Sequence, residues 1–176
     1  MENYKKIFGE LSELVWFKKK EIILEEGQIE NYISYTIQGS VVYLINCQGM
    51  EICKGFSIDN SYSTSYHSFL KRTPSDFRTQ ALEDTLVERI HYDHIQKAYA
   101  LSDEAQRHGR LMAESLYIEE SKRVISLISQ SAEERYNDLV QNKPQLAQRV
   151  PQKYLASYLG ITPVSLSRLR NKIAKS

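Results

Sequence analysis

The strongest constraint on the fold is a change of pattern near His91. Before it, from about Lys18 to Ile90, short β-prone runs alternate with turn residues: residues 21–24, 26–28, 32–37 and 40–45, a turn at 47–49, and a return run at 51–53. Serial short strands of this kind fit a β-sandwich or barrel, and Gly39 and Gly49 stand where a positive φ is needed. The polar and aromatic run 60–69 has no clear period, so a loop or short helix beside a pocket is expected. A further strand pattern over 77–87 closes this half.

From His91 to about Gln130 the breakers disappear apart from one glycine, and helix-favouring residues take over. Leu111, Ile118 and Ile125 recur at a spacing of seven, and Met112, Leu116, Val124 and Ile128 widen the stripe. A helix covering its own domain and a helix paired across a dimer axis would use the same residues. The polar His108, Ser115 and Lys122 between them argue against a long coiled coil and leave a shorter dimer contact open. A helical segment over 131–140 follows, then a break near Pro144, then a basic segment from Pro151.

Charge separates the two ends. The chain of 176 residues carries a net charge of +1, yet no acidic residue follows Asp138. Lys143, Arg149, Lys153, Arg168, Arg170, Lys172 and Lys175 all lie in that last stretch. A basic end on an acidic body fits a polyanionic partner. A hydrophobic content of 41% with 26% charged residues describes an ordinary globular chain. No run approaches a membrane span, and the first residues lead into no signal-peptide core, so a cytoplasmic location is expected. The two cysteines, Cys47 and Cys53, are too few for a disulfide scaffold or a four-thiolate cluster.

Residues 152–171 meet, in order, the packing demands of a helix-turn-helix. Leu155 and Leu159 give the first helix an inner face, Ala156 is small at the crossing, and Gly160 makes the turn. Ile161, Leu166 and Leu169 pack the second helix back. Thr162 suits the N-cap and Pro163 the first helical position. The outward set is then Val164, Ser165, Ser167 and Arg168 as base contacts: Arg168 for guanine O6 and N7, Val164 for a thymine methyl, the serines for base edges or phosphates. Arg149, Lys153, Thr162, Arg170 and Lys172 are the expected phosphate contacts, adding affinity and salt sensitivity rather than specificity.

The run from Val150 to Pro163, continued by Ser165-Leu166-Ser167-Arg168, resembles the DNA-binding end of the Crp/Fnr family of bacterial transcription regulators. The resemblance is specific over 131–173 and diffuse over the N-terminal half. It implies an α+β chain: a jelly-roll-like β-roll of the cyclic-nucleotide-binding type over 1–97, a long dimerisation helix over 98–130, and a winged-type helix-turn-helix over 131–176. It further implies a homodimer on a two-fold symmetric double-stranded DNA site, with Leu111, Ile118 and Ile125 at the dimer helix, and RNA polymerase as a further partner.

Two departures limit what carries over. Family members commonly place a Glu where this chain has Val164, so the usual half-site is not expected. Members that bind cyclic AMP use a Gly-Glu-Leu segment and a downstream Arg-Ser/Thr-Ala, the Arg pairing with the phosphate. Here the corresponding stretch runs from Ser61 to Phe69 and then through Pro74-Ser75-Asp76-Phe77, with neither the Glu nor the Arg. The Phe8-Gly9-Glu10-Leu11 string precedes the roll, and the Arg78-Thr79 pair is separated from Ala81 by Gln80. Cyclic AMP is therefore not expected as effector, nor is an iron-sulfur cluster, since two hairpin cysteines cannot ligate one. If an unidentified small molecule binds, Tyr62, Tyr66, His67, Phe69 and Arg78 are the expected pocket.

The competing reading is a small-ligand or cyclic-nucleotide binding module whose helix-turn-helix serves protein contacts. Catalysis is not expected, because His67, His91, His94 and His108 have no motif partners. The His91-x-x-His94 pair without a further ligand makes no metal site.

Overall fold

The computed structural model describes residues 11–173. Phe8, Gly9 and Glu10 of the early string, and Lys175 of the basic block, lie outside the described residues. The chain forms two compact units, Met1–Ala113 and Glu114–Ser176.

In the first unit eight strands are described: β1 (Ser12–Phe17), β2 (Ile22–Leu24), β3 (Tyr32–Gln38), β4 (Ser40–Cys47), β5 (Met50–Ile58), β6 (Ser61–Ser63), β7 (Arg78–Ala81) and β8 (Thr85–His91). They form two antiparallel four-stranded sheets, ordered β1-β8-β3-β6 and β2-β7-β4-β5. Phe17 and Val87 of one sheet pack with Ala81 of the other, which identifies the inner faces. Hydroxyls share this interior. Buried Thr36 bonds Ser57 and Ser63, each at 3.1 Å, and Ser57 bonds Ser61 at 2.8 Å, so strands of both sheets are joined by satisfied polar groups.

Three elements of this unit depart from expectation. β1 pairs with β8 from Ser12↔Ile90 to Phe17↔Thr85, but its outward Leu14 and Trp16 are 56% and 52% exposed. Apolar residues on both faces erase the period-two signal that marks a strand. The run 60–69 divides into β6 and a short helix, α1 (Tyr66–Lys71), and the run 77–87 divides into β7 and β8.

The helical stretch after His91 is also interrupted. It comprises α2 (Tyr92–Leu101) and α3 (Asp103–Ser129). Between them Ser102 is extended, at φ −145° and ψ 118°, and its hydroxyl accepts from the Ala105 amide at 3.2 Å. Asp103 and Glu104 then lie in the first turn of α3, where carboxylates favour a helix start. Ala105, Gly109 and Met112 are the buried residues of α3, and His108 Nε2 lies 2.9 Å from the Tyr62 hydroxyl.

In the second unit, α4 (Ala132–Asn142) opens with a capping box: the Ser131 hydroxyl accepts from the Glu134 amide, and the Glu134 carboxylate accepts from the Ser131 amide. Pro144 sits at the first position of α5 (Pro144–Arg149), followed by α6 (Gln152–Tyr158) and α7 (Pro163–Ile173). Among the described residues this unit has no strand, so the expected wing has no counterpart there. Its runs carry helical rather than alternating spacing.

Gly39 and Gly49 both have positive φ, at 111° and 85°. A Cβ on Gly39 would also meet Thr85 Cα at 2.7 Å, whereas Gly49 faces open space. Gly39→Ala is expected to cost about 2–4 kcal/mol, combining strain and overlap, and Gly49→Ala about 1–2 kcal/mol. Urea unfolding of both variants checks the ranking.

Glu30 supplies a pH dependence. It is buried, accepts from the Tyr32 amide at 2.9 Å and the Ser65 amide at 3.3 Å, and burial still pushes its carboxyl above the ordinary 4.5. A proton binds more readily in the folded state. Its stabilisation is therefore complete below pH 4.5 and is lost as pH rises through the folded pKa. Glu30→Gln should gain on wild type as pH rises from about 4.5 to about 7 in urea melts, and an unchanged difference would contradict this.

Candidate nucleic-acid interface

The turn between α6 and α7 closes through two hydrogen bonds. The Ile161 amide donates to Ala156 O at 3.0 Å and the Gly160 amide to Ser157 O at 2.9 Å, with Gly160 left-handed at φ 71°. This is a Schellman ending, which satisfies two carbonyls that an α-helix leaves without donors. Two arginines take the next two. Arg135, from α4, donates through Nε and Nη2 to Leu159 O at 3.1 and 2.7 Å, and through Nη1 to Gln130 O at 2.5 Å. Arg123, from α3, donates to Tyr158 O and lies 3.8 Å over the Tyr158 ring. Neither arginine was singled out by sequence reasoning, since nothing in local spacing ties residue 123 or 135 to a turn at 159–162.

The start of α7 follows directly. Thr162 Oγ1 accepts from the Ser165 amide at 3.1 Å, the third helical position, and Pro163 occupies the first. Leu155, Ala156, Leu159 and Leu166 are all buried at 1% exposure or less, so both helices spend their apolar residues on each other and on the unit's core. Ala156 is the small residue that permits this approach.

What remains outward is the predicted set. Val164 is 60% exposed, and Ser165, Ser167 and Arg168 are exposed beside it. Lys153 and Thr162 are exposed, Lys153 with its ammonium 4.3 Å over the Tyr154 ring. Lys172 is exposed and pairs with Glu133 at 2.7 Å, and Arg149 is half-buried in the last turn of α5. Arg170 departs from expectation. Four residues after Leu166, it falls on the inner side of α7, donates to Ala147 O at 3.3 Å and lies 5.8 Å over the Tyr136 ring.

The five residues expected to line an effector pocket do not share one lining: Tyr66 and Phe69 stack with ring centroids 6.4 Å apart, whereas Arg78 lines a depression that the other four do not. Phe69 is core, 2% exposed, against Tyr92 and Tyr66. Tyr62 packs edge-on to Tyr35 and faces His108, and burial pushes its phenol up to about 12. Tyr66 is half-buried on α1 and His67 exposed. Arg78, on β7, pairs with Glu51 and lines an open depression of about 490 Å³ that also includes Glu25, Glu26, Leu44 and Asn46. None of the other four lines that depression.

Of the histidines, His91 caps α2 by accepting from the Asp93 amide at 3.3 Å, and His94 Nδ1 lies 3.4 Å from Leu11 O. Cys47 is exposed, and Cys53 is buried with its Sγ donating to Gly55 O at 3.6 Å. Among the described residues, no helix is long and apolar enough to cross a membrane.

No protein-family model and no curated protein sequence matches the chain. Solved structures do. FixK2 from Bradyrhizobium japonicum superposes with a TM-score of 0.79 at 19% identity, over 93% of this chain and 85% of its own. CLP from Xanthomonas campestris, described as a c-di-GMP responsive global regulator, gives 0.75 at 15% identity, over 99% of this chain and 91% of its own. A CRP/FNR-family transcriptional regulator from Thermus thermophilus gives 0.70 at 13%, over 93% and 86%. The chain thus has the Crp/Fnr fold, antiparallel β-roll and C-terminal helices together, as the sequence resemblance implied.

Burial separates scaffold from surface within α7. Leu166→Ala is expected to lower the stability of the C-terminal unit by about 2–4 kcal/mol. Val164→Ala should change it by less than about 0.5 kcal/mol. Thermal unfolding followed by helix signal distinguishes the two, and equal losses would mean that Val164 is packed rather than presented.

Proposed function

We propose that this protein is a sequence-specific DNA-binding transcription regulator that acts as a homodimer and places α7 in the major groove. The observation that carries this is the outward face of α7: Val164, Ser165, Ser167 and Arg168 are exposed together on a helix within the stretch after Asp138, which has no acidic residue. A guanidinium at Arg168 suits the two acceptors of guanine, and Val164 suits a thymine methyl. Lys153, Thr162, Arg149 and Lys172 flank that face as phosphate contacts, and Arg170 is assigned instead to bracing α7 against Ala147 and Tyr136.

The dimer is proposed through α3. Leu111, Ile118 and Ile125 are 48%, 49% and 60% exposed on one stripe, an apolar surface a second copy can cover. Two copies related by a two-fold axis would read a two-fold symmetric double-stranded site, half-sites about one helical turn apart. Val164 in place of the family's common Glu argues for a different half-site. In this reading residues 1–97 are the sensor roll, 98–130 the dimer helix and 131–176 the DNA-binding part, working in the cytoplasm with RNA polymerase. Cyclic AMP and iron-sulfur clusters have no role in it. The roll answers to another small molecule or to none, and no catalytic step is assigned.

The test compares two variants on a site selected from random DNA. Arg168→Ala should weaken binding to that site about 10- to 100-fold while leaving non-specific binding nearly intact. Lys153→Ala should weaken all sequences alike and lower the salt slope by about 1. An Arg168→Ala protein that keeps full affinity and the same preferred bases would overturn the placement of α7.

A further inference from the structure

The α6–α7 turn is held from outside by two guanidinium groups in addition to its own Schellman bonds. The Schellman bonds already satisfy Ala156 O and Ser157 O. The carbonyls of Tyr158, the last residue of α6, and of Leu159, its C-cap, are met by Arg123 from α3 and Arg135 from α4. Arg135 also donates to Gln130 O, one residue beyond the end of α3. One planar cation thus sits between the carbonyl ends of two helices, where both macrodipoles favour positive charge.

The chemistry is specific to arginine. Arg135 uses three N–H donors fixed in one plane, Nε and Nη2 converging on Leu159 O and Nη1 reaching Gln130 O, and Arg123 combines a carbonyl bond with stacking on Tyr158. An ammonium can supply the charge but neither the fork nor the stack. The turn residue next to this fork is Gly160, whose added Cβ would lie 3.6 Å from Arg135 Nη2, so the guanidinium is in van der Waals reach of the left-handed residue itself. The direction in which α7 leaves the turn is set at Gly160 to Thr162, and those residues follow carbonyls anchored to α3 and α4.

We propose that Arg123 and Arg135 are positioning residues for base reading: they fix α7's orientation relative to the C-terminal part of α3 by anchoring the carbonyl end of α6. This deepens, and rests on, the proposal that α7 reads DNA. A change in α3 would then reach the reading helix through two hydrogen-bonded guanidiniums rather than through the α3–α4 junction alone.

Orientation and stability are separable in one experiment. Arg135→Lys and Arg123→Lys keep charge and lose geometry, and a second substitution at the milder site, Arg123→Gln, covers the case in which Arg135→Lys fails to fold. For each full-length variant, affinity is measured for the selected site and for an unrelated duplex of equal length, with the salt slope of both. A protein that is merely less folded loses both affinities by the same factor, so their ratio stays constant. The expected result is a fall of about tenfold or more in the specific-to-non-specific ratio, with the non-specific affinity and its salt slope retained. Faster amide hydrogen exchange at Gly160 and Ile161 should accompany it in the DNA-free protein. A constant ratio in the folded variants overturns the positioning role while leaving the DNA-reading proposal standing. A wild-type protein without any sequence preference overturns both.

Discussion

The carbonyl end of a seven-residue helix is the point on which the C-terminal unit turns. A helix as short as α6 has no independent stability, and its final carbonyls are poorly placed for donors of its own. Four are satisfied in sequence: Ala156 and Ser157 by the amides of Ile161 and Gly160, Tyr158 and Leu159 by arginines from two other helices. The left-handed Gly160 that makes the first pair possible also delivers the chain to Thr162, whose hydroxyl starts α7. Once α7 begins there, Leu166 must be buried and Val164, Ser165, Ser167 and Arg168 must face out. The outward chemistry is thus a consequence of how one helix end is closed.

The first unit solves a different problem with polar groups in its interior. Thr36, Ser57 and Ser63 lie buried where the two sheets face each other, and they bond one another and Ser61. Glu30, also buried, gathers the amides of Tyr32 and Ser65 and so ties the entry to β3 to the start of α1. Such networks add directional bonds to an apolar core that in this unit also buries Ile33, Val41, Val42, Leu44, Val87 and Ile90. At the other end of this unit, Gly109 of α3 has no room for a Cβ, which would lie 2.0 Å from the Tyr99 hydroxyl.

Much of this was legible in the sequence wherever one residue type has one physical use. Gly39, Gly49 and Gly160 mark positive φ, Thr162 and Pro163 mark a helix start, and Leu155, Ala156, Leu159 and Leu166 mark the buried side of two helices; all stand where their chemistry demands. Legibility failed where a partner lies far along the chain. The bonds of Arg123 and Arg135 span 35 and 24 residues, and Arg170 is held by Ala147 O, 23 residues before it, and lies over the Tyr136 ring. It failed too where both faces of a strand are apolar, as in β1 with Leu14 and Trp16 outward, and where a single hydroxyl, Ser102, divides one helical run into two. Of the expected pocket residues, Phe69 is drawn into the core and Arg78 pairs with Glu51, both with partners distant in sequence.

The central claim is that the α7 face presented by this turn reads bases from two symmetric positions. Selection of the wild-type protein against a random double-stranded pool, with sequencing of the bound fraction, tests it most directly. The account predicts enrichment of an inverted repeat whose half-sites lie about one helical turn apart and whose sequence departs from that read by family members with Glu at this position. Recovery of no enriched sequence at low salt, or of a single asymmetric half-site, would contradict it.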